Sequence, residues 1–144
     1  MANKKIIIDS KIDLDSKIVL LLICTAQELN VDMTRKLKQF NLSFIQLQIL
    51  HALSESEKGE LTVNQIKSVM VDESPNVSRA LNKLMNSGFI EKDRNLIDQR
   101  MVYIKITPEG KKIHIKADIE IIETTLNLTS KEKRNLYEIL VKLN

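Results

Sequence analysis

The stretch SPNVSRALNKLMNSGFIEKDRNLIDQRMVYIKITPEG, residues 74–110, decides the fold of this chain. It opens with Ser74 and Pro75, a pair typical of a helix start. Serine accepts a hydrogen bond from an early helix amide, and proline lacks an amide that would otherwise stay unpaired. Gly88 stands where this helix would end, because glycine adopts the left-handed conformation of a C-terminal cap without steric cost. The pattern predicts a helix over 74–87.

The sequence period changes after Gly88. Residues 89–92 predict a short strand, and residues 101–106 alternate between two faces as a half-buried strand does. A polar loop over 93–100 joins the two segments, so together they predict a β-hairpin. Thr107 followed by a proline then indicates the start of another helix.

Two further helix starts precede the stretch. Ser43 with Gln46, and Thr62 with Gln65, each form a capping box, in which two side chains satisfy backbone amides reciprocally. The helix that begins at Thr62 is short and is followed by a tight polar turn before Ser74. Two short helices joined in this way predict a helix-turn-helix. The hairpin directly after the second helix makes it a winged helix.

Apolar helices flank this part of the chain on both sides. A long helix is predicted over 11–38, another over 107–127, and a last one after the capping residue Thr129. In the first two, apolar residues extend beyond one face. Such a helix has a second surface to bury, which in a single-domain protein can belong to another subunit. Residues 1–9 are expected to be a short tail whose isoleucines pack on the protein.

Positive charge is concentrated in one part of the chain. The whole sequence has 22 Lys and Arg against 19 Asp and Glu, a net charge of +3. Residues 74–112 hold eight basic and four acidic side chains, a local charge of +4 that leaves −1 for the rest. This asymmetry favours binding of phosphate by that stretch.

The predicted helix over 74–87 has two different faces. Val77, Leu81, Leu84 and Met85 are spaced to pack on a core. The opposite face is polar and suits the major groove of DNA, where arginine can bind guanine and asparagine can bind adenine. A solvated helix face is the simpler alternative, but the helix-turn-helix, the hairpin and the charge agree on DNA. We assign Asn76, Ser78 and Arg79 to base edges, and Asn82 and Lys83 mainly to phosphates or neighbouring bases.

Several other functions have no support in the sequence. The single cysteine, Cys24, lies in an apolar run without an adjacent basic residue, and we interpret it as structural rather than redox-active. His51 and His114 are the only histidines and match no metal-ligand spacing, so neither a metal nor another cofactor is expected. No catalytic motif or phosphate-binding loop is present, and enzyme activity is not expected.

The N-terminal region does not match a targeting signal or a membrane span. Asp9, Asp13 and Asp15 interrupt it, and the apolar run over 18–24 is far shorter than the roughly 20 residues that a membrane helix needs. A reducing, cytoplasmic location is expected.

The chain resembles the MarR family of bacterial winged-helix transcription regulators. The matching segments are LTVNQIKSVM, SPNVSRALNKLMNSGFIEK, IDQRMVYIKIT and the helix start PEG, in the family's element order from about residue 11 to the end. The family typically has an Asp-Arg-Arg run in its wing. Here Asp98, Gln99 and Arg100 occupy that run, so a phosphate contact made by the first arginine in relatives is in doubt.

The resemblance also implies roles for the wing and for the outer helices. Arg100 should enter the minor groove, with Asp98 holding its guanidinium group, and Arg94 should contact phosphate. A salt bridge within the wing, without a DNA role, is the alternative. In the family the outer helices interlock into a two-fold dimer, and many members release DNA when a small phenolic ligand binds or a cysteine is oxidised.

The expected fold class is therefore mainly α with a small β-hairpin wing (α+β). We expect one MarR-like domain over 1–144, with a winged helix-turn-helix DNA-binding lobe over 43–107 and dimerisation helices over 11–40 and 110–144. The expected function is a sequence-specific, homodimeric transcription repressor that binds a pseudo-palindromic double-stranded operator and is released by a small aromatic or phenolic effector. The alternative is a winged-helix protein-interaction module without sequence-specific DNA binding.

Overall fold

A computed structural model describes residues 4–70, 76–94, 102–122 and 126–143, with the side chains of Arg94 and Ile122 excepted. The helices and strands occur in the order expected of a winged helix-turn-helix with flanking helices. They are α1 (Lys4–Asp9), α2 (Leu14–Leu37), α3 (Phe44–Glu55), β1 (Glu60–Thr62), α4 (Val63–Val69), α5 (Asn76–Asn86), β2 (Ile90–Arg94), β3 (Val102–Ile106), α6 (Pro108–Ile122) and α7 (Ser130–Val141). A short 3-10 turn, Lys38–Phe40, follows α2. No helix among the described residues is long and apolar enough to cross a membrane.

The predicted helix caps are confirmed wherever the structure describes them. Ser43, Thr62 and Thr129 each accept a hydrogen bond from the third amide of their helix, and the side chain at that third position binds back to the cap amide. Gly88 has a φ of +72°, the left-handed conformation expected just beyond α5. The predicted cap Ser74 lies outside the described residues, together with Pro75.

The wing belongs to a three-stranded antiparallel sheet of order β1-β3-β2, not to a two-stranded hairpin alone. The additional strand begins at Glu60, which pairs with Lys105 of β3. Only three residues form β1, and the Thr62 capping box that follows dominates the sequence pattern. Pairing with a distant strand, rather than local preference, therefore creates this element.

The chain ends also differ from the sequence-based prediction. The expected tail over 1–9 contains α1, in which Ile7 is half-buried but Ile6 and Ile8 are 70% and 56% exposed. The helix α6 was expected to reach residue 127, but residues 126–129 are not helical. Within the lobe, Val69 is 59% exposed at the end of α4.

One continuous core lies between the helix-turn-helix, the sheet and the inner sides of α2 and α6. The helix α3 is central to it, because it packs against α4, α5, α6 and two strands of the sheet. Its residues Ile49, Leu50 and Leu53 are fully buried. The other fully buried large side chains come from the surrounding elements and are Leu37, Ile66, Val77, Leu84 and Ile104.

Gly110 allows α6 to begin directly against the end of α5 and the start of β2. A Cβ atom at this position would collide with the backbone carbonyl of Phe89 and with the side chain of Ile106. The close backbone approach therefore requires glycine, which gives a steric reason for the glycine of the predicted helix start.

Candidate nucleic-acid interface

The helix α5 presents one apolar face to the core and one polar face to solvent. Val77, Ala80, Leu81 and Leu84 are buried against α3 and the sheet. Met85, which was also assigned to this inner face, is half-buried and packs against the same core. The spacing of three and four residues thus fixes which way the rest of the helix faces.

The five residues assigned to DNA on α5 are exposed together on its outer face. This face contains no acidic side chain, and Arg79 and Lys83 give it two positive charges one helical turn apart. Such a face attracts phosphate and offers both donors and acceptors to base edges. Its exposed members are Asn76, Ser78, Arg79, Asn82 and Lys83, with Asn86 at the end of the helix.

An open groove separates this face of α5 from the start of α3. The N-terminal turn of α3 contributes Ser43, Ile45 and Gln46, which the sequence analysis did not assign to a site. The Gln46 side chain is already engaged, because its Oε1 accepts from the Ser43 amide at 2.7 Å. The capping box therefore holds these side chains in place on the wall of the groove. The sequence predicted the capping box as a helix start but not its position beside the groove.

The strands of the wing lie next to the end of α5. The strands β2 and β3 stay paired out to Arg94 and Val102, the last described pair before the tip. The backbone of Arg94 therefore lies at the outer end of β2, while its side chain is not described. Asp98 and Arg100, the other wing residues assigned to DNA, lie outside the described residues.

Thr107 links the end of α5, the start of the wing strand β2 and the start of α6 through hydrogen bonds. Its hydroxyl donates to the Gly88 carbonyl at 2.7 Å and accepts from the Gly110 amide at 3.0 Å. Its own amide donates to the carbonyl of Phe89 at 3.0 Å. These three hydrogen bonds hold the end of α5 and the start of β2 against the start of α6.

A second groove lies away from this interface, between α1, α2 and the segment after α6. Cys24 lies on its wall and is half-buried, near Lys4, Glu28 and Leu126. The interpretation of Cys24 as a structural residue stays a prediction.

The two histidines, treated separately in the sequence, meet in the structure. His51 of α3 and His114 of α6 approach to 3.1 Å, and Asp118 lies within 3.5 Å of both. Burial lowers the pKa of His114 below its usual range, which the Asp118 carboxylate partly opposes. The spacing of His114 and Asp118 by one helical turn was a readable signal, but their partner on α3 is 63 residues away.

Comparison with known proteins agrees with this architecture. The family model described as transcriptional regulator SarA/Rot matches residues 33–117, which is more than half of the chain. The HTH-type transcriptional regulator SarU of Staphylococcus aureus is 35% identical over 68 residues, covering 47% of this chain and 28% of that protein. The chain thus spans well under half the length of SarU. The regulator SarZ of Staphylococcus epidermidis is 26% identical over 129 residues, covering 88% of this chain and 86% of SarZ.

Solved structures share the fold over nearly the whole chain. An organohalide-sensing transcriptional regulator, crystallised with 2,4-dichlorophenol, has a TM-score of 0.79 and 25% identity, covering 92% of this chain and 80% of its own. Ligand-free MarR from E. coli has a TM-score of 0.74 and 23% identity, covering 93% and 98%. The predicted resemblance to MarR-type winged helices is confirmed.

Proposed function

The chain belongs to the SarA/Rot family of transcriptional regulators, and from that premise we propose that it represses transcription as a homodimer bound to a pseudo-palindromic double-stranded operator. The observation that carries the proposal is the outer face of α5, which is polar, basic and free of acidic side chains. The protein-interaction alternative gives no reason for a face of this charge.

We assign sequence reading to the first two turns of this face. Asn76, Arg79 and Lys83 follow one another at spacings of three and four residues, so they project on one side of α5. An α-helix about 10–12 Å wide fits the major groove, which is about 12 Å wide. In that position Arg79 can bind guanine with two hydrogen bonds, Asn76 and Ser78 can reach neighbouring base edges, and Asn82 and Lys83 lie nearer the backbone.

We assign the wing to the adjacent minor groove, with Arg100 inserted, Asp98 orienting it and Arg94 on phosphate. The support is the family resemblance together with the pairing of β2 and β3 out to Arg94 and Val102. A minor-groove arginine responds to groove width more than to base identity. Arg100→Ala should therefore weaken binding to all duplexes by a similar factor, and loss of discrimination alone would contradict this role.

The outer helices support a dimer. Large apolar side chains are exposed along α2, α6 and α7, although the same helices contribute little to the core of one chain. A second copy would remove this surface from water and place two copies of α5 on successive major grooves, about 34–36 Å apart. The exposed apolar residues include Leu14, Ile18, Val19 and Ile23 of α2, Ile115 and Ile119 of α6, and Ile139 and Leu140 of α7.

Release from DNA by a small aromatic or phenolic effector is part of the proposal. Its support is the organohalide-sensing regulator of similar fold, which was crystallised with 2,4-dichlorophenol. A thermal-shift titration with that phenol tests the idea, and an unchanged melting temperature together with unchanged operator binding would remove it.

The experiment for DNA binding is a salt titration against the promoter region of the protein's own gene and a scrambled duplex of equal length. The logarithm of the binding constant should fall linearly with the logarithm of salt concentration, because basic side chains displace counterions from phosphates. The promoter duplex should also bind more tightly than the scrambled one at each salt concentration. Affinity that ignores both salt and sequence would contradict the proposal and favour the protein-interaction module.

A further inference from the structure

A polar cluster between α3 and α6 lies apart from the DNA-binding face. It consists of His51 on α3 and of His114 and Asp118 on α6. None of the three is on α5, and the proposed DNA contacts leave the cluster without a role. The cluster forms because α3, the first helix of the lobe, packs against α6, the helix that follows the lobe in the sequence.

The three side chains turn one atom each toward a common point. His51 Nδ1 lies 3.1 Å from His114 Nε2, His114 Nε2 lies 3.2 Å from the Asp118 Oδ2, and that oxygen lies 3.5 Å from His51 Nδ1. The imidazole planes are inclined by 49°, so the rings meet through their nitrogen edges and do not stack.

These distances match the edges of a tetrahedral metal site. Ligands at 2.0–2.1 Å from a tetrahedral Zn²⁺ ion are separated from one another by about 3.3–3.4 Å. The three measured separations lie on either side of that value. We propose that His51, His114 and Asp118 form a binding site for a divalent transition-metal ion of the zinc class.

The composition of the cluster suits such an ion. Two imidazole nitrogens and one carboxylate oxygen are a common ligand set for zinc, which leaves a fourth position open. A water molecule can complete the coordination.

The position of His114 suits a fixed ligand. Its side chain is only 5% exposed, so packing around it holds the ring against the other two side chains. Hydrogen bonds to Asp118 would use both imidazole N–H groups and leave the two nitrogens, 3.1 Å apart, facing each other as donors, whereas a central cation contacts all three atoms. The remaining nitrogen, His114 Nδ1, is buried and has no hydrogen-bond partner among the described residues.

A bound ion would join the lobe to the outer helices. The α3 ligand belongs to the winged helix-turn-helix lobe, whereas both α6 ligands belong to the helix that Thr107 connects to the end of α5. Metal binding would therefore fix the angle between these two parts. The inference is independent of DNA binding, because it concerns only the affinity of this cluster for metal.

The test is a titration of the full-length, metal-stripped protein with Co²⁺, followed by displacement with Zn²⁺. Tetrahedral Co²⁺ has a strong ligand-field absorption, which should rise to one equivalent per protomer and disappear when Zn²⁺ is added. His51→Ala and Asp118→Asn should each weaken Co²⁺ binding by about tenfold or more, since loss of even an outer-shell partner costs about 10–100-fold.

Two control variants make the result decisive. Glu120→Gln changes a carboxylate on the same helix outside the cluster, and Cys24→Ser removes the only thiol; both should bind Co²⁺ as the unmodified protein does. His51 is exposed, so His51→Ala should keep its helical circular dichroism even if Asp118→Asn does not. Absence of a tetrahedral Co²⁺ spectrum, equal affinity of His51→Ala and the unmodified protein, or loss of binding in Cys24→Ser would each overturn the proposal.

Discussion

The winged helix-turn-helix lobe and the outer helices use apolar residues in opposite ways. In the lobe, α3, α5 and the sheet place their large side chains in one buried core, including Leu50, Leu84 and Ile104. In α7, no residue is buried, although Tyr137, Ile139 and Leu140 are all large. The core of the lobe is therefore complete within one chain, whereas the outer helices leave large apolar side chains exposed in one chain.

The difference in burial indicates that the lobe and the outer helices have different structural tasks, which are hard to distinguish in the sequence. The lobe has to keep the outer face of α5 at a fixed angle, and a closed core with reciprocal helix caps provides that rigidity. In the proposed dimer the outer helices set the distance between two lobes, which requires a surface that pairs with itself. Thr107 and Gly110 lie at the boundary between the two regions.

The largest expected effect comes from adding a methyl group at Gly110, where the lobe meets α6. Gly110→Ala places a methyl group against the Phe89 carbonyl and Ile106, so backbone must shift on both sides. We expect the free energy of unfolding to fall by about 3 kcal/mol or more, at the upper end of overpacking effects. Chemical denaturation measures it, with Lys116→Ala on the exposed side of α6 as the control, expected within about 0.5 kcal/mol of the unmodified protein. A stable Gly110→Ala variant would show that the two regions are joined less tightly than described.

The next effect concerns the outer helices alone. Leu140→Asp introduces a charge into the apolar surface of α7, where the leucine is 44% exposed in one chain. We expect the dimer dissociation constant to rise by more than tenfold, because both copies of the interface lose apolar burial and gain an unpaired carboxylate. Sedimentation velocity measures the change, and the lobe should keep its melting transition.

Asn135→Asp is the matched control for this experiment. It adds the same charge to the same helix at an exposed polar position, and should leave the dimer intact. Equal dissociation constants for the two variants would mean that α7 is not part of the interface.

The smallest effect compares equivalent caps in the two regions. Ser43→Ala removes the cap of α3, the central helix of the lobe, and should lower the free energy of unfolding by about 1 kcal/mol. Thr129→Ala removes the same kind of cap from α7 and should change the unfolding midpoint less, because α7 contributes no buried residue to the core. Urea denaturation of both variants measures the two effects. A larger loss of stability in Thr129→Ala than in Ser43→Ala would contradict the conclusion that the lobe is the more rigid region.

Local signals in the sequence were sufficient for most of the fold. The three capping boxes, Gly88 and the spacing of Val77, Leu81 and Leu84 fixed the helices and the exposed face of α5 without any long-range information. Residues assigned to DNA on α5 are all on that face, and their contacts with bases stay predictions.

Features that depend on distant partners were not readable. The strand β1 exists because Glu60 and Leu61 pair with residues more than 40 positions away, and its own three residues carry no distinctive strand pattern. The cluster of His51, His114 and Asp118 escaped for the same reason, since each histidine alone is unremarkable and only the packing of α3 on α6 brings them together.

The most direct test of sequence recognition by α5 is the ratio of operator affinity to scrambled-duplex affinity in Arg79→Ala. Affinity for an operator selected from random duplexes and for a scrambled duplex should be measured at one salt concentration for three proteins: unmodified, Arg79→Ala and Arg134→Ala. Arg134 is an exposed arginine on α7, so its variant controls for the lost charge. We expect Arg79→Ala to lose about 1–3 kcal/mol of discrimination, while Arg134→Ala keeps it. An unchanged ratio of operator to scrambled affinity in Arg79→Ala would contradict the assignment of α5 as the helix that reads sequence.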